Sequence, residues 1–209
     1  MDAAASRPTV TYYFDFVCPF CYLGAHRLLR LARRWAFEIA WEGIQIHPET
    51  PPEGRPLAAL GEEVVRRAAA GIVALAEEEG VELKLPLVLA NSALAHRMGE
   101  LARRQGCFDA YRDRVFAACF QEGRNLGDAE TIPAIVRGLG IPRVAIGRFL
   151  DDREGYARLI AARLRRVAEY GFRAFPAVVM GGRSWQGVQP EAVWEAGLEA
   201  LGCRRRESI

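Results

Sequence analysis

Lysine is almost missing from this 209-residue chain. Of its 28 basic residues only Lys84 is a lysine, and the rest are arginines. Schiff-base chemistry would have to use Lys84, and nothing else in the sequence nominates it. Paired metal ligands are also scarce. Cys107, Cys119 and Cys203 are isolated, as are His26, His47 and His96. A structural zinc site needs a second close pair of Cys or His, so no metal site is expected. No segment approaches 18 uninterrupted apolar residues. Met1 to Pro8 carry no basic stretch followed by an apolar run. The expectation is a cytoplasmic protein without membrane association. Strong charge of either sign is absent too: 28 basic against 26 acidic residues leave +2. That balance argues against nucleic acid or a membrane surface as partner. The run Arg204-Arg205-Arg206 has no aromatic or glycine pattern beside it and reads as a solvated tail. No internal repeat or low-complexity segment is present.

The most informative segment is Cys18-Pro19-Phe20-Cys21. Ahead of it, Thr9 to Phe14 is β-branched and aromatic and reads as a buried strand. Behind it, Tyr22 to Trp35 is apolar-periodic, broken only by Gly24, and reads as a helix. The cysteines therefore sit where a strand ends and a helix begins. A thiolate there faces unpaired backbone N–H groups and the positive end of the helix dipole. Thiols of Cys-X-X-Cys pairs at such sites have pKa values lowered from about 8.5 to roughly 3.5–7.5. Pro19 suits the first helical turn, where its missing N–H loses nothing. Cys18 is then the exposed nucleophile, and Cys21, one turn inward, the resolving thiol. In a reducing compartment five cysteines imply no disulfide framework, and a Cys-X-X-Cys is catalytic.

The chain is long enough for one large domain or a domain with an insertion, and 51% hydrophobic residues supply a core. Phe37 to Ile46 alternates partially and reads as a second strand, completing a βαβ unit. His47 to Pro52 then breaks regular structure. A helical stretch follows with Leu60, Val64, Ala68, Ile72 and Leu75 on one face. Asn91-Ser92 offers an N-cap for a helix carrying Leu94, Met98 and Leu101. Phe108, Tyr111, Val115 and Cys119 form another stripe. Asp128 can cap a helix with Ile132 and Ile135. A helix over Glu154 to Tyr170 turns Tyr156, Ile160, Leu164 and Val167 inward, with Gly171 closing it. Ala177 to Met180 and Arg183 to Gln186 read as a hairpin about Gly181-Gly182. Pro190 opens a last helix.

This order, with the cysteine pair after the first strand, resembles a thioredoxin-like α/β fold with a helical insertion, the architecture of the DsbA-like family. Asp15 to Gly24 is similar to the active-site segment of its FrnE-like branch. Asn91-Ser92-Ala93-Leu94-Ala95-His96-Arg97, Phe116 to Asp128, Gly171 to Val178 and Ser184 to Pro190 resemble further elements of that branch, in the same order. The resemblance implies a thioredoxin-like domain of residues 1–55 and 154–209, with 56–153 inserted. It also implies a cis bond before Pro176, beside the dithiol, so that the Phe175 backbone can pair with a bound substrate. Secreted DsbA proteins have Pro-His between the cysteines. Phe20 removes that polar stabiliser, so a less oxidising couple is expected. The related 2-hydroxychromene-2-carboxylate isomerases and kappa-class glutathione transferases usually have serine at the first position and G-Q-D-R after the hairpin. Here those positions hold Cys18 and Gln186-Gly187-Val188-Gln189.

The function expected first is thiol–disulfide exchange on a disulfide-bearing protein or a low-molecular-weight thiol. Cys18 attacks and Cys21 resolves, with no cofactor required. A glutathione-dependent isomerase or transferase is the alternative, and glutathione is then the ligand. A binding module without activity comes last, since it has little use for an activated dithiol. Substrate contacts are expected from Pro19, Phe20, Phe175, Pro176 and His96. His96 lines a substrate cleft or makes a structural hydrogen bond. Asp15 serves as proton acceptor beneath the dithiol or caps the strand end.

Overall fold

The computed structural model describes residues 7–206. Most of Met1 to Pro8, and the outer ends of the expected 1–55 and 154–209 segments, lie outside the described residues. The strand β1 (Thr9–Phe14) leads into helix α1 (Pro19–Arg34), a two-residue strand β2 (Trp35–Ala36) and strand β3 (Glu38–Gly43). Strand β4 (Arg55–Pro56), a 3₁₀ turn (Leu57–Leu60), helix α2 (Glu62–Glu79) and strand β5 (Val88–Leu89) follow. Four helices succeed them: α3 (Ala93–Arg104), α4 (Phe108–Phe120), α5 (Thr131–Gly138) and α6 (Arg143–Asp151). The chain closes with α7 (Arg153–Glu169), β6 (Ala177–Met180), β7 (Arg183–Gln186), α8 (Glu191–Ala200) and β8 (Arg204–Arg205).

The main sheet has the order β3-β1-β6-β7, so its strands come from the two ends of the chain. β1 runs parallel to β3, with Thr9 opposite Glu38 and Phe14 opposite Gly43. It runs antiparallel to β6, with Val10 opposite Met180 and Tyr13 opposite Ala177. Gly181 and Gly182 turn the β6–β7 hairpin with φ of 54° and 81°, a left-handed pair that residues with a Cβ adopt only at a cost.

The period of two along a strand assigns the sheet's faces. Val10, Tyr12, Phe14, Val178 and Met180 point into the main core with Leu23, Leu28 and Leu31 of α1. Tyr13, Ala177 and Val179 point the other way, against Phe172 and Val167. A chain of rings then crosses from β1 to α4. Phe14 meets Phe16 at 5.0 Å, Phe16 meets Phe116 at 5.2 Å, and Tyr22 stacks on Phe120 at 5.4 Å. These contacts fix α4 against the start of α1, where the cysteines lie.

A buried ionic cluster joins α2 to α1. The Glu79 carboxylate, fully buried, accepts from Arg27 Nε and Arg30 Nη1, each at 2.6 Å. Arg27 also donates to the Gln189 carbonyl at 2.6 Å. Its Nη2 lies 2.7 Å from Glu78, but without hydrogen-bond alignment.

Several local expectations are corrected. Leu164 is 47% exposed, because the packed face of α7 centres on Tyr156, Ile160, Arg163 and Val167 and Leu164 lies at its edge. Asp128 gives no side-chain cap to α5, and Ser92 gives none to α3. Asn91 instead accepts from the Ala93 N–H at 2.9 Å. Arg204 to Arg206 are exposed but docked: β8 pairs with β2, and Arg205 lies over the Trp35 ring at 4.8 Å.

Candidate active site

Strand β1 ends at Phe14, and Asp15 to Val17 turn the chain into α1. Cys18 is the N-cap of that helix, in extended conformation, with Pro19 as its first residue. The Cys18 Sγ accepts from the Cys21 N–H at 3.2 Å. A sulfur thus occupies the place usually taken by a Ser or Asp oxygen, facing a free donor of the first turn. No acidic residue sits in that turn to oppose a thiolate. Across from it, the Phe175 carbonyl oxygen lies 3.9 Å from the same sulfur. The Phe175–Pro176 bond is cis, as the resemblance implied.

Cys21 is completely buried. Burial pushes its thiol well above the ordinary range, and a hydrogen bond and charge at Cys18 push the same way. The two sulfurs are therefore inequivalent. Tyr12, also buried, donates to the Cys21 carbonyl at 2.8 Å. Desolvation raises its phenol well above the ordinary value, so it stays a neutral donor.

Cys18 differs from expectation in one respect: it is only 7% exposed. The segment from Leu57 through α2 covers it, and access runs through an apolar cavity of about 300 Å³. Cys18, Pro19, Phe20 and Phe175 line it together with Leu60 of the 3₁₀ turn, Val65 and other residues of α2, the two residues of β5, and His47 and Phe120. Phe20 reaches across to Gly71 of α2, where an added Cβ would stand 3.4 Å from the ring. The stripe Leu60, Val64, Ala68 and Ile72 is therefore cavity wall as well as core. Its role was missed because helical periodicity marks an apolar face but not what that face meets. Val64 on that stripe is 58% exposed, which no feature of the sequence marks.

Asp15 and His96 form a pair apart from the cavity. Asp15 is fully buried and accepts from His96 Nε2 at 2.9 Å, the Ile46 N–H at 2.8 Å and the Val17 N–H at 3.3 Å. His96 is 3% exposed, packs on Phe14 and Phe16, and is not among the cavity-lining residues. Of its two readings the structure has the hydrogen bond. Hydrogen bonds from two backbone N–H groups make Asp15 an anchor for the strand end. Gln186 was not foreseen: its side-chain oxygen accepts from the Arg173 and Ala174 N–H groups, at 2.6 and 3.0 Å, holding the loop that presents Phe175. Cys119 is buried near Asp15, and both burial and that charge raise its thiol. Among the described residues no cluster of three or more Cys, His, Asp or Glu could hold a metal ion, and no helix is long and apolar enough to cross a membrane.

Comparison with known proteins places this geometry. The family model described as a DSBA-like thioredoxin domain matches residues 9–199. The 2-hydroxychromene-2-carboxylate isomerase of Pseudomonas sp. (strain C18) is 28% identical over 192 residues, covering 85% of this chain and 84% of that one. The crystal structure of probable DsbA oxidoreductase SCO1869 from Streptomyces coelicolor superposes with a TM-score of 0.78 at 24% identity, over 97% of this chain and 93% of that one. The cytosolic disulfide reductase DsbM from Pseudomonas aeruginosa, solved with GSH, gives 0.66 at 18% identity, over 92% and 98%.

Proposed function

The chain belongs to the DSBA-like thioredoxin-domain family, and from that premise we propose that it is a thiol–disulfide oxidoreductase in which Cys18 attacks and Cys21 resolves. One observation carries the reading: Cys18 caps α1 with its sulfur on a backbone N–H and opens on a cavity, while Cys21 is sealed one turn deeper. DsbA-like oxidoreductases do this chemistry with their own dithiol and need no bound cofactor.

The Cys18 thiolate attacks a substrate disulfide and forms a mixed disulfide, releasing one substrate thiol. Cys21 then attacks Cys18 and releases the second. Because burial holds Cys21 protonated, this thiol does not compete for the first attack. The Phe175 carbonyl faces the reacting sulfur and offers a backbone acceptor to a bound substrate. Pro19, Phe20 and Pro176 shape the surroundings. Phe20 brings no polar group to Cys18, which supports a couple less oxidising than that of the secreted DsbA proteins. The reductase direction in the cytoplasm follows from that, with residues 56–153 serving as a helical insertion that roofs the dithiol.

A glutathione-dependent isomerase is the second reading, supported by the isomerase relative and by the GSH held in the DsbM structure. The paired cysteines favour exchange. The deciding experiment uses two variants. Cys18→Ser should abolish disulfide exchange, and Cys21→Ser should accumulate mixed disulfides detectable by mass spectrometry. Cys21→Ser should alkylate fast at neutral pH and Cys18→Ser slowly. Isomerisation of 2-hydroxychromene-2-carboxylate with glutathione, surviving in Cys21→Ser, would favour the second reading instead.

A further inference from the structure

Resting on the oxidoreductase reading, we infer that the natural substrate is a low-molecular-weight disulfide whose sulfur carries an apolar, ring-sized group, and that glutathione disulfide is disfavoured.

The argument begins from the chemistry of the lining. Apart from Cys18, the only lining side chain with a polar atom is His47. Its ring lies 3.3 Å from the exposed carboxylate of Glu49. No Lys, Arg, Asp, Glu, Asn, Gln, Ser or Thr is among the lining residues. Glutathione carries two carboxylates and an ammonium. Seated at Cys18, it would find no charged side chain among the lining residues to pair with them. Unpaired charges in apolar surroundings are strongly disfavoured, whereas an apolar group gains by leaving water.

Size narrows the class further. About 300 Å³ lies at the small end of ligand pockets, enough for a substituted ring and too small for a folded segment of polypeptide. Phe20 and Phe175 line the cavity with Cys18 and offer aromatic surface to such a group. The nucleophile, the backbone acceptor at Phe175 and the apolar seat are thus adjacent.

The reaction balances without a further reagent. Cys18–S⁻ and RS–SR give Cys18–S–S–R and RS⁻, which takes a proton. Cys21, after losing its proton, displaces the second RS⁻ and closes the Cys18–Cys21 disulfide. Two electrons pass from the dithiol to the substrate, and a thiol reductant restores the pair for the next turnover.

The test mixes reduced full-length protein with bis(2-phenylethyl) disulfide, bis(2-hydroxyethyl) disulfide or glutathione disulfide. Single-turnover loss of the Cys18 and Cys21 thiols is followed by quenching and mass spectrometry. Each rate is divided by that of dithiothreitol with the same disulfide, which removes intrinsic reactivity. The normalised phenylethyl rate should exceed the glutathione rate at least tenfold, with the hydroxyethyl compound below the phenylethyl one. Val65→Glu, which puts a carboxylate in the wall, and Ala68→Leu, which fills volume, should each lower the phenylethyl-to-glutathione ratio at least fivefold. If Val65→Glu does not fold, Ala68→Leu decides. A glutathione or hydroxyethyl rate equal to or above the phenylethyl rate overturns the inference. So does a ratio that both folded variants leave unchanged. Absence of Cys18-dependent oxidation with all three compounds defeats the oxidoreductase reading instead.

Discussion

Removing the Glu79 carboxylate should show how firmly the cavity roof is tied to the dithiol helix. Glu79 ends α2, whose earlier turns wall the cavity, and its side chain has no solvent exposure. It accepts from Arg27 Nε and Arg30 Nη1 at 2.6 Å. In Glu79→Ala the two arginines fare differently. Arg30 is 38% exposed and keeps Glu191, so it can hydrate. Arg27 is 2% exposed and cannot. It retains only the Gln189 carbonyl and the poorly aligned Glu78. Breaking a buried pair by deleting one partner costs about 3–5 kcal/mol, and the remaining contacts place this case near 3. That is roughly a 150-fold loss in the folding constant, or a Tm lower by roughly 6–12 °C for a chain of this size. Urea unfolding of the reduced protein, monitored by tryptophan fluorescence and circular dichroism together, gives the number and tests two-state behaviour. Glu79→Leu combined with Arg27→Met should recover much of the loss, since a well-packed apolar pair can replace a buried ion pair. A cost below about 1 kcal/mol, the range of exposed pairs, would refute the claim that this pair is desolvated.

Gly24 packs where any Cβ would stand 2.6 Å from the Tyr12 hydroxyl and 3.1 Å from Pro176. Gly24→Ala should therefore cost about 1–3 kcal/mol through overpacking, despite its better helix propensity. It should also slow disulfide exchange, and a stabilised, fully active variant would contradict this packing. The reduced protein should lose stability as pH rises. Cys21 and Cys119 are both raised by burial. Between the unfolded thiol value near 8.5 and the higher folded value, the unfolded chain has released protons that the folded chain still holds, so the slope is negative. Each thiol contributes about 1 kcal/mol per pH unit there. Cys21→Ser with Cys119→Ser should remove most of that slope between pH 8.5 and 10. A level profile in the reduced wild type would show that neither thiol is desolvated.

The dithiol and its frame are legible in the residues alone. Pro19 at a helix start, a β-branched and aromatic strand before it and an apolar-periodic segment after it leave little choice for Cys18 and Cys21, because these are short-range constraints of backbone geometry. Strands β1, β6 and β7 and most helices were legible for the same reason. What surrounds the sulfur is set by long-range packing. Asp15 and His96 are 81 positions apart and meet across the core, so His96 read equally well as cleft or scaffold until its partner was known. Glu79 is one of three successive glutamates, and periodicity does not tell which of them is buried beneath Arg27. The same holds for the stripe on α2. Its apolar spacing predicts a buried face, but whether that face packs solidly or stands off from Cys18 as a cavity depends on distances between segments far apart in the chain. No local pattern carries that information, and the chemistry available to Cys18 follows from it.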